Sequence, residues 1–247
     1  MKRAIRRTLY SRSLERAVGW SSVALLAGAG LVGLLIAPAD SVQGDVQRLM
    51  YVHVPSAWIA YLAFFVVFVA SIAYLVSKKP RWDDVAHAST EIGVVFTGLA
   101  IVLGALWGKP IWGTWWTWDP RLTTTALLLL IYIGCLEVRR LPDHRAQGAK
   151  WGAVVGIMGF LNVPIVHMSV VWWRSLHQPP SALKPGAPLL AGSMFAALML
   201  ALLAFMALYL YLLLVRTRVA RLEGRLPYLT AFATMDQTPR PVQVTNE

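Results

Sequence analysis

The chain has 247 residues, 57% of them apolar and only 14% charged, with 23 Lys and Arg against 12 Asp and Glu, a formal balance of +11. Soluble domains run at roughly a quarter charged, so a globule surrounded by water is excluded and lipid is the solvent this composition fits. The basic residues sit between long apolar runs rather than on one water-facing surface, which excludes nucleic acid as a partner, and the single Cys135 excludes an internal disulfide, a thiolate metal cluster and a C-x-x-C-H attachment motif.

A bilayer core needs roughly 20 mostly apolar helical residues, and six stretches qualify. A basic arm carrying Lys2, Arg3, Arg6, Arg7, Arg12 and Arg16 precedes the first, at 20–37. Its Gly28-Ala-Gly-Leu-Val-Gly33 string imitates a dinucleotide loop, but it lies inside an apolar span, where small residues let helices approach closely. The arm, span and Ala37-Pro-Ala39 also imitate a cleaved leader. The apolar stretch is too long for one and Pro38 interrupts the cleavage site, so retention is expected. The second span, 57–76, follows a loop with Arg48 and His53, and the third, 91–107, follows Lys78, Lys79 and Arg81. Next come a tryptophan-rich connection, 107–122, the fourth span, 122–138, and a loop with Arg139, Arg140, Arg145 and Lys150. The fifth span, 151–173, contains Asn162, Pro164 and His167; Arg174, His177 and Lys184 follow it, then a sixth span, 189–215, and a tail, 216–247. The runs lack the alternation of barrel strands, so helices are expected. The reading is an all-α, six-span bundle forming one integral membrane domain over 1–247.

Orientation follows from the basic residues, which concentrate in cytoplasmic loops. Eighteen lie on the side of the two termini and five on the other: Arg48, Lys109, Arg121, Arg174 and Lys184. Both ends are therefore cytoplasmic, and the basic excess meets anionic lipid headgroups of the inner leaflet. His87 and His144 read as solvated in the inner loops, and Glu91 and Glu137 as water-reached helix ends.

Trp107, Trp112, Trp115, Trp116 and Trp118 place five of eleven tryptophans within twelve residues at the outer side. An aromatic belt uses one or two per helix end, as Trp20, Trp58 and Trp151 do, so this density needs another cause. The spacing of Trp112, Trp115 and Trp116 fits one face of a short interfacial helix, a shelf for a flat apolar ligand. Asp119-Pro120-Arg121 closes the stretch, with a guanidinium suited to a carboxylate. His53 and His177 lie just outside the second and fifth spans on the same side, each soon followed by Pro. Two neutral imidazoles are standard axial ligands for haem iron, and protohaem (haem b) uses every part: iron for His53 and His177, a ring for the indoles, propionates for Arg48, Lys109, Arg121 or Arg174. Ligands on adjustable loops suit capture and release. His167 is open between a helix–helix hydrogen bond and a supporting role near the ligand.

The string WGTWWTWDPRLT, from Trp112 to Thr123, resembles the signature of tryptophan-rich haem-handling membrane proteins. YVHVPSAW, from Tyr51, and WWRSLHQPPS, from Trp172, resemble the flanking histidine segments of the cytochrome c maturation protein C family. The resemblance runs along residues 20 to about 215. It implies haem b at the periplasmic face with His53 and His177 as axial ligands and the tryptophan loop as platform. It also implies delivery to a membrane-anchored periplasmic haem chaperone, and association with ATPase and permease subunits of an ABC-type transporter and a small single-span subunit, in a bacterial inner membrane. Two other readings stand beside it: a permease subunit that moves haem through the bundle, and a colourless structural subunit of an assembly complex. No nucleophile and base pair or hydrolytic metal spacing marks the outer loops, so an enzyme is not expected.

Overall fold

The computed structural model describes residues 2–178 and 190–226, with side chains from residue 12 onward. The calls on Lys184, on the start of the sixth span at 189 and on the tail beyond 226 lie outside these residues. So do the side chains of Lys2, Arg3, Arg6 and Arg7. Helices follow one another in chain order: α1 (Lys2–Gly30, prolonged by a wide turn Leu31–Ile36), α2 (Met50–Ser77), α3 (Pro80–Trp112), α4 (Pro120–Val138), α5 (Arg145–Phe160), α6 (Asn162–Trp172) and α7 (Gly192–Glu223). With α5 and α6 taken together, six segments among the described residues are long and apolar enough to cross a membrane.

Several boundaries differ from the sequence reading: the basic arm is already helical from Lys2, the fifth span starts at Arg145, and α7 continues past residue 215 to Glu223. The second span starts well before residue 57: α2 begins at Met50 and continues through Pro55 as an interior proline, so that His53 is helical rather than on a loop. The third starts at Pro80 rather than 91, because Asp83 and Asp84 at its inner end are buried as ion pairs. Asp83 pairs with Arg139 of α4, and Asp84 with Arg145 of α5 and Arg221 of α7. His87 and Glu91 thereby fall inside α3, where Glu91 pairs with Arg216 and His87 lies 3.5 Å from Glu91, not in open water. The fifth span is broken at Leu161: the ring of Pro164 conflicts with a helical carbonyl four residues earlier, and the chain tightens there before α6 begins.

The bundle centre packs α2 against α4 and α5. Phe64 stacks on Tyr132 with centroids 3.6 Å apart, and Gly93 on α3 leaves room for the Phe64 ring, which a Cβ there would meet at 2.4 Å. In lipid, close approach of this kind carries helix association, since apolar burial alone does not distinguish protein from acyl chain. Small residues serve it elsewhere too. Gly156 faces Val67, and Gly33 receives the Tyr51 ring, while Gly28 and Gly30 face open space.

Candidate functional site

At the end of the bundle where α2 begins and α3 stops, a cleft with about 1070 Å³ of empty space opens between α2, α3, α4 and the segment after α6. His53, Trp107, Trp112, Trp115, Trp116, Arg121 and His177 all line it. Each reaches it by a different local device.

His53 stands near the start of α2, and its Nδ1–H donates to the carbonyl of Ala100 on α3 at 3.0 Å. Gly104, one turn along α3, makes room for the ring: a Cβ there would lie 3.0 Å from His53 Cε1. Trp107 meets the imidazole edge-on at 5.7 Å between centroids, and its indole N–H donates to Gln43 Oε1 at 2.9 Å. Gly108 does for Trp112 what Gly104 does for His53, since a Cβ would sit 2.8 Å from the indole. Sequence reasoning passed over Gln43 and Tyr61, and considered Gly104 and Gly108 only as a failed likeness to a phosphate loop, with no role at this site. The signal for the glycines was there: they lie four residues apart on the helix that carries Trp107 and Trp112, so one face is cut away beside the indoles.

The tryptophan stretch is not the short helix its spacing suggested. Gly113, at φ 77°, turns into the left-handed region and ends α3 directly after Trp112. Residues 113–119 then run without helix. The Thr114 hydroxyl, bonded to the Trp116 carbonyl at 2.9 Å, organises the turn. Trp115 and Trp116 still face the cleft, but from a loop rather than from consecutive turns. Trp118 points outward, 81% exposed, with its ring edge-on to Trp116.

Asp119 is buried and does not line the cleft. It caps α4, accepting from the amides of Arg121 at 2.8 Å and Leu122 at 3.3 Å, just ahead of Pro120 in the first helical position. Its other oxygen accepts the amide of Leu176 at 2.8 Å. Burial by itself would raise the Asp119 pKa, but hydrogen bonds from Ser175 and the amides of Leu176, Leu122 and Arg121 outweigh it and hold the carboxyl below its usual range.

His177 follows α6 on an irregular segment, its Nδ1–H donating to the carbonyl of Gln178 at 2.9 Å, with Trp112 beside it at 6.3 Å. Burial first, then the Arg121 guanidinium, lower its pKa, so the ring is neutral near pH 7. Both histidines thus give Nδ1–H to a backbone carbonyl, which fixes the tautomer and leaves Nε2 with its lone pair available. Arg121 is the one cation among the residues lining the cleft; it also donates to the carbonyl of His167 at 3.3 Å. Arg48 is turned to Asp45 and the carbonyl of Gly33, Lys109 to the carbonyl of Gly113, and Arg174 does not line the cleft. His167 makes no helix–helix hydrogen bond through its ring among the described residues, but its ring lies edge-on to Tyr61, a lining residue, at 6.4 Å.

Two imidazoles with free Nε2 atoms, indole walls and one guanidinium form a donor set that fits a metalloporphyrin. The fold is that of a polytopic all-α membrane protein, with an indole-walled cleft at one end of the bundle. The family profile described as heme exporter protein C matches residues 4–230. Heme exporter protein C of Bradyrhizobium diazoefficiens is 38% identical over 222 residues, 88% of this chain and 84% of the relative. The Haemophilus influenzae protein of that name is 39% identical over 212 residues, 85% of this chain and 86% of the relative, and the Escherichia coli K12 protein 34% identical, covering 85% of each. The chain belongs to the heme exporter protein C family of cytochrome c biogenesis.

Proposed function

We propose that the chain holds haem b at the periplasmic face of the bacterial inner membrane, with His53 and His177 as axial ligands of the iron, and hands it to a periplasmic haem chaperone. The observation that carries the reading is the matched state of the two imidazoles: each is fixed through Nδ1 by a backbone carbonyl, and each lines the same indole-walled cleft.

In this reading Trp107, Trp112, Trp115 and Trp116 cover part of the porphyrin face and edge, where stacking adds to apolar contact. Arg121 neutralises a propionate, and burial, assisted by the Arg121 charge, keeps the His177 imidazole unprotonated. Asp119 positions both by tying the start of α4 to the segment before His177. The chain's part in release is to let that segment, held by α6 behind it and by Asp119, shift. Handover to the chaperone, and assembly with the ATPase and permease subunits of an ABC-type transporter and a small single-span subunit, complete the proposal.

The test is spectroscopic and biochemical together. Purified protein is expected to carry haem with a low-spin absorption spectrum. His53→Ala and His177→Ala each change that spectrum and cut the haem recovered in a co-purified chaperone. An unchanged spectrum in both variants removes the ligand assignment; a colourless wild type removes the haem reading.

A further inference from the structure

At the opposite end of the bundle a second groove, with about 1470 Å³ of space open on one side, separates α1 from α7. The two helices touch at Gly19, where a Cβ would lie 2.9 Å from the Tyr211 ring, and the groove runs to either side of that contact. Arg12 and Arg16 on α1 and Arg218 on α7 line the part on the chain-end side. Glu15, buried between the helices, pairs with Arg218 at 2.6 Å. One carboxylate thus faces three guanidiniums, and neither Arg12 nor Arg16 has an acidic partner among the described residues. Deeper in, the walls turn apolar through Trp20, Val23 and Val215, and Val219, next to Arg218, stands at the entrance to that slot. Arg12 to Val23 spans about 16 Å at 1.5 Å per helical residue. Trp20, 74% exposed, stands between the two zones, at the level where indoles mark a membrane interface.

A cationic mouth over an apolar slot, at the end that the basic residues place toward the cytoplasm, selects one kind of occupant. A soluble anion would leave the slot unfilled, and a zwitterionic lipid would leave the excess charge unmatched. We propose that this groove binds one anionic phospholipid of the inner leaflet, its phosphate between Arg12 and Arg16 and an acyl chain along Trp20, Val23 and Val215. The site is remote from the histidine cleft and does not depend on haem. Arg218 stays with Glu15 and closes the side of the mouth, so the two α1 arginines carry the recognition.

The full chain, purified in detergent, is titrated with phosphatidylglycerol or phosphatidylcholine of the same acyl length, and bound lipids are counted by native mass spectrometry. One phosphatidylglycerol per chain is expected, held at least ten-fold more tightly than phosphatidylcholine. The R12Q/R16Q pair abolishes that preference, whereas K78Q/K79Q, which removes equal charge from another inner loop, leaves it intact. Val219→Trp, which blocks the entrance to the slot and spares every charge, weakens binding of both lipids, and thermal unfolding of each variant shows that it is folded. Equal binding of the two lipids by wild type, an unchanged preference in R12Q/R16Q, or an equal loss in K78Q/K79Q overturns the site.

Discussion

The carboxylate of Asp119 and the backbone amide of Leu176 lie 57 residues apart in the chain and meet at 2.8 Å. One side chain therefore caps α4, at the end of the loop that carries Trp115 and Trp116, and holds the residue beside His177. Asp119→Ala removes all of these acceptors. The cap alone is worth about 0.5–2 kcal/mol. The larger expected effect is local: faster amide exchange across 174–177 and a several-fold loss of bound haem, read by hydrogen exchange and by absorption. Unaltered exchange in that segment would show that the tie is not what orders it.

The same tie sets a pH window. The Asp119 pKa is depressed in the folded protein, so its contribution is fully present above the ordinary carboxylate value of about 3.9 and fades as pH falls through the lower folded value. Exchange across 174–177 is expected to show no step between pH 5 and 8 beyond the intrinsic rate, and to rise in acid. In Asp119→Asn the acid step disappears. A step centred near pH 6 in wild type would point to a different group.

Gly104→Ala is expected to disturb iron ligation without touching a ligand. The added methyl would sit 3.0 Å from His53 Cε1 and 3.5 Å from Nδ1, so the ring must turn and its bond to Ala100 must lengthen. Gly98, on the same helix, has nothing within 4 Å, and Gly98→Ala should gain a few tenths of helix stability and leave the low-spin spectrum unchanged. Identical spectra in the two variants would mean that His53 is not held by this contact.

Arg121→Gln is expected to weaken haem retention by about ten-fold, the size of one charge-assisted hydrogen bond pair, since a loss of about 1.4 kcal/mol is tenfold. Arg48→Gln breaks an ion pair with the exposed Asp45 and should change retention little. Haem titration of both variants in detergent checks the contrast, and an equal loss in both would shift the propionate role away from Arg121.

At the inner end, Asp83→Asn leaves the Arg139 guanidinium, itself largely buried, without its carboxylate. Breaking one side of a buried pair costs about 3–5 kcal/mol. A lowered unfolding midpoint with an unaltered haem spectrum is the expected result. A spectral change would couple the two ends of the bundle.

The six spans were legible because length and apolar content decide whether a segment crosses lipid, and neither depends on tertiary detail. Boundaries were not, wherever polar residues are buried by partners far away in the chain. Asp83 and Asp84 look like a solvated helix start until Arg139, Arg145 and Arg221 are folded against them. The site was legible through its large residues, since indole density and paired histidines are unusual at a span end. Gly104, Gly108 and Gln43 were invisible for the opposite reason: their contribution is space or a single acceptor, which acquires meaning only beside the ring it serves. Trp118 shows the converse failure, a residue of the right kind that the turn at Gly113 leaves facing outward.

His53 stands on a 28-residue helix, while His177 stands on irregular chain beyond Trp172. An iron gripped between them has one stiff jaw and one compliant jaw. Under the proposed ligation, a partner pulling from outside would open the second first, and the helical imidazole would let go last.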